Sequence, residues 1–181
     1  MPLDPNPLDA AVRSWMVAHQ TPTGIAIAAF VSKIGSVGPM RWVGMLVAVF
    51  FFARGRGRAM LSVAAAPWLA LAVYAGTRRL LPRTRPPGAA GYHETASSFP
   101  SAHATTSAAV CCTLAYILWR EQMLNARAAL AIAIIPPLCI GLSRLYLDVH
   151  WTTDVLAGWL AGLVIAAVAG GFHRLLSARA E

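Results

Sequence analysis

Five apolar runs, at about 36–53, 59–81, 100–119, 128–147 and 151–172, fix what this chain can become. Each is close to the ~20 residues that cross a hydrocarbon core as a helix. Water is absent there, so the backbone must satisfy its own polar groups, and a run of this length becomes an α-helix. The expected fold is an all-α integral membrane protein, a compact bundle of five to six transmembrane helices. Only 12% of the 181 residues are charged, about half the share usual in soluble domains. Three segments are expected: an interfacial N-terminal segment (1–38), a transmembrane domain (39–176) and a cytoplasmic tail (177–181).

The N-terminal segment reads two ways. Residues 9–20 have the pattern of a short amphipathic helix at the interface. Gly24–Ile34 is apolar but too short to span, Lys33 interrupts it, and a Gly-Ser-Val-Gly-Pro stretch follows. It is either a half-inserted helix or, joined to 9–23, a poor first span. No basic stretch precedes an apolar core at the N-terminus, so no cleaved signal peptide is expected. Pro136-Pro137 predicts a kink in the fourth run. Cys111, Cys112 and Cys139 lie in apolar runs and read as small packing residues. The net charge of +8 sits at the ends of the runs, which favours the bilayer and anionic lipid as partners and argues against nucleic acid. Trp42, Trp119, Trp151 and Tyr146 fit aromatic belts.

Alternation of the spans puts the loops 54–58 and 120–127 and the tail on one side of the membrane. The polar segments 78–103 and 143–154 then share the other. Arginine counts favour the first side as cytoplasmic, so the second faces outward.

On that outward side lies a polar island, Ser143-Arg-Leu-Tyr-Leu-Asp-Val-His-Trp-Thr-Thr-Asp154. A cation, an imidazole and carboxylates at a membrane edge are costly and imply function. His150 and Asp154 are four apart, so on a helix they share a face and can hydrogen-bond. Such a pairing orients an imidazole and leaves one ring nitrogen for chemistry.

Three blocks share this side: Arg78-x6-Arg85-Pro86, Pro100-Ser101-Ala102-His103, and Ser143-Arg144-x5-His150-x3-Asp154. Together they resemble the type 2 phosphatidic acid phosphatase (PAP2) superfamily, whose pattern is Lys-x6-Arg-Pro, Pro-Ser-Gly-His and Ser-Arg-x5-His-x3-Asp. Arg78 stands where the pattern has lysine and Ala102 where it has glycine. Neither departure removes a catalytic group.

The resemblance implies a membrane phosphatase for a lipid phosphate or pyrophosphate, of the undecaprenyl pyrophosphate, phosphatidylglycerophosphate or phosphatidate type. It would sit in a bacterial inner membrane with its site facing outward. Arg78, Arg85 and Arg144, with Ser101 and the backbone near Ala102, would clamp the phosphoryl oxygens. Pro100 suits the first turn of the third span, whose N-terminus is a natural anion site. His150 would attack phosphorus to form a phosphohistidine, Asp154 would orient and stabilise it, and His103 would serve as acid and then base. No carboxylate cluster calls for a metal, so no cofactor is expected. His93 and Glu94 lie in the loop near the site and could touch substrate.

Other readings follow from the same residues. Arg78 and Arg79 suit snorkelling anchors at a helix end, and Arg79 and Arg83 read as anchors or headgroup contacts. Asp148 suits capping or loop order, and His19 and His173 look like interface residues. A lipid-to-lipid phosphotransferase would use the same phosphohistidine, and a transporter or scaffold could keep the motif without activity. The oligomeric state and the lipid tail are not encoded legibly.

Overall fold

The computed structural model describes residues 5–88 and 96–178. Among them are seven helices: α1 (Pro7–Ala18), α2 (Pro22–Ile34), α3 (Val37–Ala53), α4 (Gly57–Leu80), α5 (Ala102–Arg120), α6 (Ala126–Tyr146) and α7 (Thr152–Ala178). No strand occurs among the described residues. Four helices, α4 to α7, are long and apolar enough to cross a bilayer, and α2 with α3 forms a fifth candidate span bent by 45°. The protein is an all-helical integral membrane protein.

The expected five to six spans are thus four or five, and the difference lies at the N-terminus. α2 does not join α1 into one span. The 13-residue α2 instead follows into the 17-residue α3 across the break at Gly35-Ser36, and the two together form a bent candidate span or a re-entrant loop. α1 is a separate 12-residue helix, begun by Pro7 and a capping box in which Asn6 and Asp9 satisfy each other's backbone N–H.

α5 is the central helix. It packs against α7, α6, α4 and α3, and most of its residues from Ala104 to Ile117 are buried. Small residues make the closest approach possible. A Cβ on Gly158 or Gly162 of α7 would fall within 3 Å of Ala104 or Ala108 of α5, so the two backbones meet as small-residue membrane interfaces do. Phe51, Val63, Val110, Leu114 and Ile117 fill the layer between α3, α4 and α5. The outward faces carry exposed Leu, Val, Ile and Phe, as a lipid-facing surface should.

α6 runs unbroken through Pro136 and Pro137. Pro137 cannot donate to the Ala133 carbonyl, and the Cys112 thiol takes that place at 3.5 Å. Trp159 donates to the Pro137 carbonyl at 3.0 Å. The helix therefore replaces one missing bond with a side chain from α5 and is tied to α7 by Trp159.

The helix order places the C-termini of α4 and α6 beside the N-termini of α5 and α7. The backbone N–H of Ser101 donates to the Asp154 carbonyl at 3.1 Å, pinning the starts of α5 and α7 together. The polar segments meet at this end.

Candidate active site

Asp154 lies in the first turn of α7, where a carboxylate complements the helix dipole. Its Oδ2 accepts the Trp151 backbone N–H at 2.9 Å and the Ser98 hydroxyl. His150 comes before the helix, in the turn after α6, not on a shared helical face. Its Nδ1 still reaches Asp154 Oδ2 at 3.5 Å, and the Ser98 hydroxyl is the same distance from Nδ1. The predicted pair forms across a helix start, with Ser98 wedged beside it.

The other ring nitrogen faces a cation. Arg85 Nη1 approaches His150 Nε2 at 3.0 Å and donates to the Val149 carbonyl at 2.6 Å. Its Nε is held by the Ala96 carbonyl at 2.7 Å, which aims the guanidinium. A guanidinium only donates, so Nε2 must be the accepting nitrogen and the ring proton belongs on Nδ1. His150 is 4% exposed. Burial pushes its pKa down to about 4. The Arg85 and Arg144 charges push the same way, while the Asp154 bond opposes them. A neutral imidazole with its Nε2 lone pair toward a cation is the result.

Arg144, in the last turn of α6, is buried and donates to Ser32 of α2 at 2.5 Å. Ser101 caps α5, accepting from the Ala104 N–H at 3.4 Å. Pro100 lies before that cap and outside the helix, not in its first turn as its residue type suggests. Ala102 and His103 form the first turn of α5 and are half-buried. Arg78 is not drawn in. It is exposed, its guanidinium 5.5 Å from the ring of Tyr74 on its own helix and donating to the Tyr74 hydroxyl at 3.2 Å. His93 and Glu94 lie outside the described residues.

Three residues joined to this cluster were not singled out by the motifs. Ser98 is one. Arg83, read as an anchor, is instead buried, with Nη1 on Asp154 Oδ1 at 2.5 Å and Nη2 on Asp9 Oδ2 at 2.7 Å. Asp9, from α1, is fully buried and also accepts the Thr153 backbone N–H at 2.9 Å. Burial raises its pKa, but the Thr153 N–H and the Arg83 guanidinium outweigh that and hold it below the usual carboxylate value. Trp151 is likewise no belt residue. It is buried, donates to the Thr84 carbonyl at 2.8 Å, and stacks its ring 5.7 Å from Arg83. The Arg-x-Arg spacing of Arg83 and Arg85 was the one available signal; nothing local marks Asp9.

Asp148 behaves as expected of a loop-ordering residue. It takes φ 55° and receives Arg13 of α1 through Nε at 2.8 Å and Nη2 at 2.9 Å.

The described geometry has counterparts. The family model described as the PAP2 superfamily matches residues 61–175. The chain is 36% identical over 108 residues to phosphatidylglycerophosphatase B of Bacillus subtilis, a match covering 54% of this chain and 53% of that protein. It is 37% identical over 121 residues to decaprenylphosphoryl-5-phosphoribose phosphatase of Mycolicibacterium smegmatis, covering 65% and 62%. The chain thus spans between half and two thirds of these relatives. The crystal structure of a transmembrane PAP2-type phosphatidylglycerolphosphate phosphatase from B. subtilis superposes with a TM-score of 0.77, at 26% identity, over 92% of this chain and 84% of that one.

Proposed function

The chain belongs to the PAP2 superfamily, and we propose that it is a membrane phosphatase that hydrolyses a lipid phosphate or lipid pyrophosphate through a phosphohistidine. The observation that carries the reading is the environment of His150: a buried neutral ring, Nδ1 toward Asp154 and Nε2 toward Arg85. A phosphoryl group drawn to Arg85 would arrive at the nitrogen that holds the lone pair.

The reaction takes two steps. Nε2 of His150 attacks phosphorus, and the bond to the leaving oxygen breaks as His103 gives that oxygen a proton. The ring becomes cationic, and Asp154 stabilises it through Nδ1–H. His103 then takes a proton from water, which attacks phosphorus and frees phosphate and the neutral His150. Arg85 and Arg144 stabilise charge on the equatorial oxygens throughout. Arg78 would join them by turning from Tyr74. Ser101, whose hydroxyl caps α5, serves the clamp mainly by fixing that helix start with Ala102. His93 and Glu94 are proposed to border the headgroup.

The substrate is proposed to be an amphiphile whose tail stays in the bilayer while its headgroup reaches the helix ends. An inner-membrane location with the site outward is supported by arginine placement. Arg54, Arg56, Arg58, Arg120, Arg127 and Arg174 lie at or beside the far ends of the helices, whereas at the site end Arg13, Arg83, Arg85 and Arg144 are engaged by internal partners, which leaves Arg78 and Arg79 as the exposed arginines of α4 there. The test is phosphate release by the purified protein from undecaprenyl pyrophosphate, phosphatidylglycerophosphate, phosphatidate and a water-soluble phosphate ester, each with and without EDTA. Release from a lipid with no acceptor present, unchanged by EDTA, is expected. Release from none of the four, or strict dependence on a divalent metal, would overturn it.

A further inference from the structure

One side of Asp154 faces His150; the other is held by a second buried charge. Oδ2 serves His150, Ser98 and Trp151; Oδ1 takes Arg83. Behind Arg83 stands Asp9, which also holds Thr153, the residue next to Asp154, through its backbone N–H and its hydroxyl. The hydroxyl of Thr153 in turn accepts Arg83 Nη1 at 2.7 Å. Asp9, Arg83 and Asp154 are 0%, 5% and 0% exposed. Asp9 comes from a helix outside the residues matched by the family model, 144 positions from Thr153.

We propose that Asp9 and Arg83 are positioning residues for the nucleophile, so that the N-terminal helix α1 sets the orientation and charge of Asp154 through Arg83. The proposal rests on the reading of His150 as nucleophile and Asp154 as its orienter. Arg83 occupies Oδ1 and so fixes the rotamer that presents Oδ2 to the imidazole. A guanidinium paired with Asp154 alone would cancel the charge needed when the ring turns cationic. Sharing it with Asp9 leaves the trio with one net negative charge. In a buried setting that charge is weakly screened, and His150 is its neighbour.

The charged groups acting on His150 and the trio are Arg85 in the segment after α4 and Arg144 on α6; the Arg13–Asp148 pair joins α1 to the α6–α7 turn, and His103 lies in the first turn of α5. None of these is changed in the test. Removing the Asp9 charge leaves Arg83 less compensated and disfavours protonated His150. Removing the Arg83 charge leaves Asp154 more negative and favours it. The two variants therefore move His150 in opposite directions, which a loss of packing alone would not do.

The experiment uses the full chain in detergent, with Asp9→Asn, Arg83→Gln, Arg83→Lys and His150→Ala. The protonated fraction of His150 at mildly acidic pH is read by NMR of histidine-labelled protein, with His150→Ala assigning the signal. Steady-state phosphate release from phosphatidate in micelles is measured in parallel. We expect Asp9→Asn to lower the protonated fraction and Arg83→Gln to raise it. Each should cut kcat by about 10- to 100-fold with KM little changed, the scale on which an outer partner of a metal-ligating histidine acts. Arg83→Lys, which keeps the charge, should restore part of the loss. A shift in the same direction for both variants, or none in Asp9→Asn, overturns the proposal; Asp9→Asn, nearly isosteric, covers the case in which Arg83→Gln does not fold. Turnover surviving in His150→Ala would instead overturn the nucleophile reading, while the NMR shifts would still decide the positioning role.

Discussion

The two ends of the bundle each carry a three-member chain of titratable side chains, and they differ in what surrounds it. At one end Arg83 bridges Asp9 and Asp154, with side chains 3%, 0% and 0% exposed. At the other, Glu121 bridges Arg56 at 2.5 Å and His173 at 3.0 Å; His173 is buried, but Arg56 is 42% and Glu121 19% exposed. Both tie separate helices together. Water reaches the second, so its pairing competes with hydration and is worth little. The first has no such alternative, and breaking it leaves a buried charge without compensation. Similar chains of charge thus have unequal consequences.

The sharpest way to break the comparison is His150→Ala. Turnover should fall to background while the protein stays folded; retained turnover would sink the mechanism. The same variant carries a pH signature. His150 titrates near pH 4 in the folded protein, below its ordinary value of 6.5. Between those values the unfolded chain binds a proton that the folded one refuses, so stability present above about pH 6.5 is lost as pH falls toward 4. That component of the acid-side loss should vanish from thermal unfolding curves of His150→Ala. Its persistence would show that other groups at this end govern acid stability.

A smaller effect is expected at His103. On a phosphate monoester the leaving alkoxide needs its proton, and His103→Ala should cost about 10²–10⁴-fold in kcat. On a lipid pyrophosphate the leaving phosphate needs it less, so the loss should be clearly smaller. Equal losses on both substrates would count against the acid role.

What the sequence disclosed of this end follows from distance along the chain. That Arg85, His103, Arg144, His150 and Asp154 share one end of the bundle could be read because their motifs hold them at short fixed spacings, and the alternation of spans told which motifs lie on the same side. Asp9 carries no such spacing, and Arg83 only its two-residue separation from Arg85. Arg83 is 71 residues from Asp154 and 74 from Asp9, and on its own it has the pattern of an arginine at a helix end. Asp9 satisfies its helix N-terminus through a capping box, so a local reading is complete without the second role. The bend between α2 and α3 was hidden for a related reason. The run at 36–53 reads as a span by itself, and only the 45° angle to the helix before it shows the two as one bent candidate.

The least disruptive change is Glu121→Gln at the far end. Gln keeps the size and can still accept from Arg56 and His173, but it removes the charge. With Arg56 and Glu121 both partly exposed, hydration replaces most of what is lost, and the change in stability should stay within about 1 kcal/mol. kcat should be unaltered, since α5 and α7 carry the site at their opposite ends. A loss of activity in this variant, with stability unchanged, would mean that the two ends are coupled through α5 and α7. The contrast between a sealed working network and a solvated structural one would then have to be abandoned.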